Sequence, residues 1–299
     1  MAYSPQIEFY KKRQFGDKIN ATFTFLRENA WPYIKIQLMI VGPILLLVNI
    51  FMSQLSFNMM GFGTDGFTAD FMFDFFKFYG LAMLSTLITA TLIPVITYSY
   101  MMAYQKQSPE EITPAMVLNN LGSKFFNLLG FNIIMYITVI IATFFFVIPG
   151  IYVAVVLMLG SSIILFEQNN PIDAFGRAFT LIKGKWWSTF GLVIVIAIVG
   201  YVVNMVFSIP RGLMYGVKMF TTVMEGGDLR TFQDMGTGEQ ALNILFSVFE
   251  TFGAILLYSL LYIALAFQYF NLVERRESRG LMSQIQEMDK SSADEDEDY

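Results

Sequence analysis

Long apolar runs without charge alternate with short polar segments along the whole chain. Four of these runs match the roughly 20 helical residues needed to cross the ~30 Å hydrocarbon core of a bilayer. They lie near residues 36–55, 78–100, 188–209 and 248–270. Each of them therefore predicts one transmembrane helix.

A fifth apolar run, from Leu128 to Phe166, carries no charge over 39 residues. As a single helix it would be about 58 Å long, nearly twice the thickness of the hydrocarbon core. Near its middle, Pro149 interrupts helical hydrogen bonding and Gly150 tolerates turn conformations. The run therefore predicts two spans, about 128–148 and 150–167, joined by a minimal hairpin, and the number of spans becomes six.

Three segments that precede the odd-numbered spans have amphipathic patterns and predict cytoplasmic helices on the membrane surface. In the first, one face carries five residues: Phe15, Ile19, Phe23, Leu26 and Ala30. The opposite face carries five others: Asp17, Lys18, Thr24, Arg27 and Glu28. The second begins with Thr113 as N-cap and Pro114 at the first helical position, and it aligns further apolar residues: Leu118, Leu121 and Phe125. The third begins at Asn170-Pro171, with Asp173 and Arg177 spaced to pair.

The expected fold is therefore all-α, a polytopic membrane helical bundle of about six spans and three amphipathic surface helices. A surface helix followed by two spans recurs three times, which indicates a three-fold repeat. Residues 1–35 form a cytoplasmic segment, residues 36–273 the six-span domain, and residues 274–299 a cytoplasmic tail. The acidic end of that tail is expected to be disordered.

Composition supports a lipid environment, because 55% of the 299 residues are apolar, only 14% are charged, and the mean hydropathy is +0.54. Fourteen lysines and arginines fall in segments on one side of the predicted spans. Only four fall on the other side: Lys77, Arg211, Lys218 and Arg230. The positive-inside rule then places both termini in the cytoplasm. No cleavage site follows the first apolar run, so we expect the first span to be retained.

Several kinds of chemistry are excluded by what the sequence lacks. There is no cysteine and no histidine, so thiolate or imidazole metal sites, haem ligation, a Ser/His/Asp triad and disulfides are excluded. Without the acidic tail the charges balance, which leaves no basic field for a nucleic acid. We therefore expect no cofactor, no metal, no nucleic-acid partner and no enzymatic activity.

A cluster of residues after the Pro149-Gly150 pair carries a family resemblance. It comprises Ile151-Tyr152, the polar break Glu167-Gln168-Asn169-Asn170, and then Ala174, Arg177, Lys183-Gly184, Trp187 and Phe190. The stretch resembles a group of prokaryotic six-span membrane proteins that includes the membrane domain beside some glycerophosphoryl diester phosphodiesterases and the YciC-like and DUF975-like proteins. The segment Lys11 to Pro32 and the ending around Arg275-Arg276 resemble a Bacteroidetes-type subgroup. The resemblance implies a bacterial inner membrane location and no phosphodiesterase activity, since that catalytic domain is absent.

Two sets of residues are candidates for a functional site. Arg177, Lys183 and Lys185 could contact an anionic lipid headgroup, the alternative being simple positive-inside anchoring. The second set could serve transport: Glu250 near the outer end of a span, and Pro43 and Pro94, which should kink the first two spans. For Glu250 the alternative is an interfacial carboxylate, and for the prolines it is kinked packing without transport.

The sequence thus favours a non-enzymatic integral inner-membrane protein that organises the bilayer or supports another envelope component. Its expected partners are membrane lipids and an envelope protein. The alternative is a transporter of a lipid or small amphiphile. The transporter predicts a polar cavity between spans, whereas the scaffold predicts close packing or a groove that is open only to lipid.

Overall fold

The computed structural model describes residues 7–48, 50–51, 69–227, 236–282 and 285–286. Within these ranges the chain is helical and contains no β-strand, as the predicted all-α class requires. The main helices are α1 (Phe15–Ile40), α2 (Gly42–Val48), α3 (Ala69–Tyr104), α4 (Pro114–Val117), α5 (Leu121–Phe145), α6 (Val147–Leu157), α7 (Gly160–Glu167), α8 (Pro171–Ile182), α9 (Trp186–Met224) and α10 (Thr237–Glu277).

Five helical stretches are long and apolar enough to cross a membrane: α3, α5, α6 with α7, α9 and α10. A sixth is present if α1 and α2, which meet at a bend of 50°, count as one broken span. A polytopic helical membrane bundle of five or six spans is therefore confirmed. The first predicted span, 36–55, begins inside α1, and its last residues lie outside the described ranges.

The long helices extend well beyond the predicted spans. Helix α3 has 36 residues, α9 has 39 and α10 has 41, so each is about 54–62 Å long. The predicted spans 78–100, 188–209 and 248–270 lie inside these helices and stay predictions. Hydropathy identifies only the part that lies in hydrocarbon, whereas the helical hydrogen bonds continue past it.

The apolar run from Leu128 to Phe166 does turn back, but not at the predicted position. The break lies at Phe146, whose backbone is extended with φ −156° and ψ 135°. Pro149 falls in the first turn of α6, where its missing N–H removes no helical bond. At Gly150 an added Cβ would lie 2.1 Å from Oγ1 and 2.9 Å from Cα of Thr143. Gly150 therefore permits close packing of the two arms and does not form the turn.

The surface helices were predicted with mixed success. The third forms as α8, with the Asn170 side chain accepting a 2.9 Å bond from the Asp173 N–H. The prediction of the second was wrong, because α4 is only one turn long and Asn120, with φ 56°, separates it from the span helix α5. Thr113 is the N-cap by position, but its side chain makes no capping bond. The three-fold repeat stays a prediction.

The buried face of α1 includes polar residues, which the prediction of a surface helix did not anticipate. The buried residues include Lys18, Thr22 and Asn29, while Phe23 and Trp31 on other sides of the helix are 39% and 73% exposed. The amphipathic pattern predicted a helix on the membrane surface with Lys18 on its polar face, whereas Lys18 lies inside the protein. Beside lipid, polar side chains need partners inside the bundle, whereas apolar side chains are stable when they face hydrocarbon.

By its internal contacts the chain divides into two units. The first comprises Met1–Pro32, Pro94–Ile196 and Leu260–Tyr299, and the second comprises Tyr33–Ile93 and Ala197–Ser259. The first unit has a buried apolar cluster: Leu192, Ile196, Leu260 and Ala264, with Ile19, Leu26 and Leu261 packed against it. In the second unit, α9 and α10 approach closely at Gly200, where an added Cβ would lie 3.5 Å from Cα of Leu257.

Replacing Gly150 with alanine tests the close packing of the hairpin. Because the added methyl group would overlap Thr143, we expect Gly150→Ala to lower the free energy of unfolding by about 1–3 kcal/mol in detergent. Gly176→Ala is the matched control, since open space surrounds that helical position and alanine should stabilise it by up to about 1 kcal/mol. Equal effects of the two substitutions would contradict the hairpin geometry.

Candidate functional site

An ion-pair network joins helix ends in the first unit. The guanidinium of Arg177 on α8 donates to both carboxylate oxygens of Glu167, with Nη2 to Oε1 at 2.9 Å and Nε to Oε2 at 3.0 Å. It also donates to Glu277 at the end of α10, and the hydroxyl of Tyr269 donates to Glu167 at 3.0 Å. Hydrogen bonding to Glu167 holds the pKa of Arg177 above its ordinary value, so this guanidinium stays charged.

The predicted pair between Asp173 and Arg177 is replaced by these contacts. Asp173 instead accepts a 2.6 Å bond from the side chain of Asn170, and Arg177 binds the two glutamates. Carboxylates from outside the helix offer Arg177 a two-pronged contact, which a residue four positions earlier on the same helix does not match. Sequence spacing alone could not show this, because Glu277 lies 100 residues further along the chain.

Arg276 near the end of α10 binds the end of α8, and Arg279 just beyond α10 binds Glu277. Arg276 donates to the carbonyl oxygens of Leu181 at 3.0 Å and Lys183 at 2.9 Å, and Arg279 donates to Glu277 at 2.7 Å. The ammonium groups of Lys183 and Lys185 belong to exposed residues. Of the three residues predicted to contact lipid, Arg177 is therefore bound by carboxylates, and the two lysines face outward.

A buried lysine was missed by the sequence reasoning. Lys18 is 1% exposed, and its ammonium donates to Oε1 of Gln268 at 2.7 Å and to Oγ of Ser188 at 2.8 Å. Gln268 in turn donates to Oγ1 of Thr189 at 2.7 Å. Within the described residues Lys18 has hydroxyl and amide partners and no carboxylate. The available signal was Gln268 itself, a polar residue in the apolar end of a predicted span.

Glu250 is paired within the second unit. Its Oε2 accepts a 2.6 Å bond from Arg211 on α9, and Arg211 also donates to Oδ1 of Asn243 at 3.1 Å. The hydroxyl of Tyr215 donates to the same amide oxygen at 2.9 Å. The side chains of Arg211 and Glu250 are 17% and 26% exposed. The carboxylate thus joins two helices.

The two span prolines occupy different settings. Pro43 lies in the first turn of α2, directly after the bend of 50°, so a break in the first span is present beside it. Pro94 lies inside α3, and the helix continues through it from Ala69 to Tyr104. Next to Pro94, the carbonyl of Ile93 accepts a 3.4 Å bond from the Gln37 amide. A role of either proline in transport stays a prediction.

A cavity of about 640 Å³ opens among helix ends of the first unit. Its walls come from the end of α3, the α4 segment, the start of α5 and the end of α7. It is lined by Ser99, Met102, Ala103, Lys106, Met116, Asn119, Asn120, Ser123, Lys124, Asn127, Ile164, Leu165 and Gln168. Neither Pro43, Pro94 nor Glu250 is among them.

The lining of this cavity is cationic and rich in hydrogen-bond donors. Lys124 donates to Oγ of Ser99 at 3.0 Å, and among the described residues neither Lys124 nor Lys106 has a carboxylate partner. Four amide side chains and the N-terminal end of the 25-residue helix α5 add donors and a positive dipole end. Such a lining suits an anion with several acceptor oxygens, such as a phosphate group.

Lys106 and Lys124 were recognised in the sequence only as inside-facing cations. Their contribution to a common cavity depends on how the chain folds back between α3, α5 and α7. Asn120 before α5 and Gln168 after α7 have positive φ of 56° and line the cavity themselves. Within the described ranges, no group of three or more acidic residues is placed to hold a metal ion.

Comparison of the chain with protein-family models, with curated proteins and with solved structures found no match. Inferences about function therefore depend on the chain's own geometry.

Removing the Arg177 guanidinium should leave the buried Glu167 carboxylate without the cation that binds both of its oxygens. Because the Glu167 side chain is only 9% exposed, we expect Arg177→Gln to lower the free energy of unfolding in detergent by about 3 kcal/mol. The matched control is Lys183→Gln, since the exposed ammonium contributes little and Arg276 binds the unchanged backbone carbonyl. We expect a change within about 0.5 kcal/mol there. Similar losses for both variants would argue against the network.

Proposed function

We propose that the protein is a non-enzymatic integral membrane protein of the bacterial inner membrane that binds the headgroup of an anionic lipid at its cytoplasmic side. The cavity lined by Lys106 and Lys124 carries this proposal. Binding there would let the protein organise lipid around it or support an envelope protein partner. This assigns the lipid contact to residues other than Arg177, whose charge is already compensated within the protein.

Charge is the first argument for an anionic ligand. Two ammonium groups line one cavity, and the described lining residues contain no acid to neutralise them. Like charges in a partly enclosed space repel each other, and a bound anion removes that repulsion. Backbone and amide donors at the start of α5 add the directional bonds that phosphate oxygens accept.

Shape and polarity are the second argument, because they fit an amphiphile better than a free ion. The volume of about 640 Å³ is typical of a small-molecule site and much larger than one phosphate group needs. Apolar side chains of Met102, Met116, Ile164 and Leu165 share the lining with the polar ones. A headgroup with its glycerol and the start of an acyl chain would contact both kinds of surface.

Membrane orientation is the third argument. The cavity is formed by the segment between the second and third predicted spans and by the end of the fourth, which the excess of lysine and arginine places on the cytoplasmic side. The cytoplasmic leaflet is where anionic lipids attract such basic groups. The positive-inside pattern and the cationic cavity therefore favour the same side of the membrane.

A transporter of a lipid or small amphiphile is the second candidate, and the polar cavity and the Arg211–Glu250 pair favour it. An ion pair that joins two membrane helices is costly to bury and is often part of a transport pathway. Transport requires the ligand to move through the protein, whereas the binding role requires only a stable complex. Flux of a labelled anionic lipid between the leaflets of proteoliposomes would distinguish the two.

Neutralising the cavity should weaken binding of anionic lipid. We expect the double variant Lys106→Gln, Lys124→Gln to bind phosphatidylglycerol about 30-fold more weakly, since each cation near an anionic surface contributes about 1 kcal/mol. Native mass spectrometry of the protein in detergent, titrated with phosphatidylglycerol or phosphatidylcholine, measures the bound fraction. The matched control is Lys183→Gln, Lys185→Gln, which removes two exposed cations on the same predicted side.

The outcomes separate the competing sites and ligands. A loss confined to the Lys183 and Lys185 variant would place the lipid contact at the end of α8 and refute the cavity site. Competition by soluble glycerol phosphate as strongly as by phosphatidylglycerol would identify a free phosphate ester as the ligand. Equal binding of the two lipids by all variants would exclude a headgroup site.

The orientation can be tested separately by a reporter fused after Tyr299. We expect alkaline phosphatase fused at this position to be inactive, because the enzyme is active only in the periplasm. Green fluorescent protein fused at the same position should fluoresce. Both results follow from a cytoplasmic C-terminus. The reverse pattern would place the cavity in the outer leaflet, and the proposed binding of cytoplasmic-leaflet lipid would be wrong.

A further inference from the structure

One face of α9 has polar residues at intervals of seven, and they face α10. Asn204, Arg211 and Lys218 follow this spacing, which returns to nearly the same side of a helix. Arg211 binds Glu250, and the ammonium of Lys218 donates to Glu239 at 2.7 Å. Asn204 lies beside α10, with its amide nitrogen 3.1 Å from a Cβ built on Gly253. This face of α9 is therefore occupied.

The opposite face of α9 carries an exposed apolar stripe. Its members recur at intervals of three and four residues: Val206, Ile209, Leu213, Val217, Phe220 and Met224. At 100° per residue they cluster about 180° from the polar face. Their exposed fractions run from 47% to 71%. The spacing is that of a helix seam that packs against another helix.

The outer half of this stripe extends beyond the reach of lipid tails. Lys185 and the pair Trp186-Trp187 mark the cytoplasmic interface, where such residues are stable. Counting roughly 20 residues across the hydrocarbon from there ends near Ser208. The 14 residues from Arg211 to Met224 then extend about 21 Å further. Leu213, Val217, Phe220 and Met224 would thus face headgroups and water unless protein covers them.

A second copy of the chain is the partner that fits this stripe. Every copy sits at the same depth and in the same orientation, so two copies meet with their α9 helices parallel and in register. No residue of the stripe carries charge, so identical surfaces do not repel. Gly212 and Gly216, four residues apart on the flank of the stripe, have open space around them and allow the backbones to approach.

We propose that the protein forms a parallel two-fold dimer in which the α9 stripes of two copies pack against each other. The interface is isologous, so Leu213 and Phe220 each lie near their own counterparts across the two-fold axis. The dimer does not depend on the lipid cavity, which lies elsewhere in the fold and uses none of these residues.

Disulfide cross-linking tests this directly, because the natural chain contains no cysteine and a single introduced cysteine cannot form a disulfide within its own chain. We expect Leu213→Cys and Phe220→Cys to give several-fold more linked dimer than the controls when native membranes are oxidised. The controls are Met219→Cys, exposed on another side of α9, and Leu245→Cys, exposed on α10. Equal yields at all four positions, or links only at the controls, would overturn the proposal.

Counting copies provides the second measurement. Photobleaching of fluorescently tagged protein in dilute nanodiscs should show two steps for the natural chain and for Leu245→Gln. The double variant Leu213→Gln, Phe220→Gln should show mainly one step, because the seam loses its apolar contacts. A natural chain that bleaches in one step, or a double variant that keeps two, would refute a dimer through this stripe.

Discussion

Hydrocarbon offers no water to backbone amides or to polar side chains, and the structure of this protein depends on that constraint. The backbone meets it by forming helices throughout the described spans. Polar side chains that are buried near the ends of the spans pair between helices, as Arg211 does with Glu250 and Lys18 with Gln268. The distribution of polar groups therefore identifies which helix faces lie inside the bundle and which face lipid.

The ionic groups of the first unit fall into two kinds with different consequences. Arg177, Glu167 and Glu277 compensate one another and hold the helix ends together, so they contribute to stability. Lys106 and Lys124 line a cavity whose described residues provide donors and no acid. The charge of Arg177 is neutralised by carboxylates of the protein. In the cavity, a bound anionic ligand would neutralise the two lysines. That difference assigns the proposed lipid site to the cavity.

Local sequence was sufficient to predict the apolar helices, because length and hydropathy identify them. It was also sufficient to predict that the stretch Leu128–Phe166 turns back. It failed where the outcome depends on distant neighbours. The turn lies at Phe146, and Gly150 instead serves the close contact with Thr143. A hydropathy pattern does not register such a contact. The buried side of Lys18 depends on a helix 250 residues away. The cavity was invisible for the same reason, since its lysines are brought together only by the fold.

The partnership of Lys18 has a consequence for how the chain is made. Its ammonium belongs to α1, whereas its partners Ser188 on α9 and Gln268 on α10 are translated 170 and 250 residues later. Until α10 enters the membrane, the cation lacks its amide partner and has to stay hydrated at the interface. Helix α1 therefore completes this contact only after α10 has been translated, which makes insertion of α10 the step that closes it.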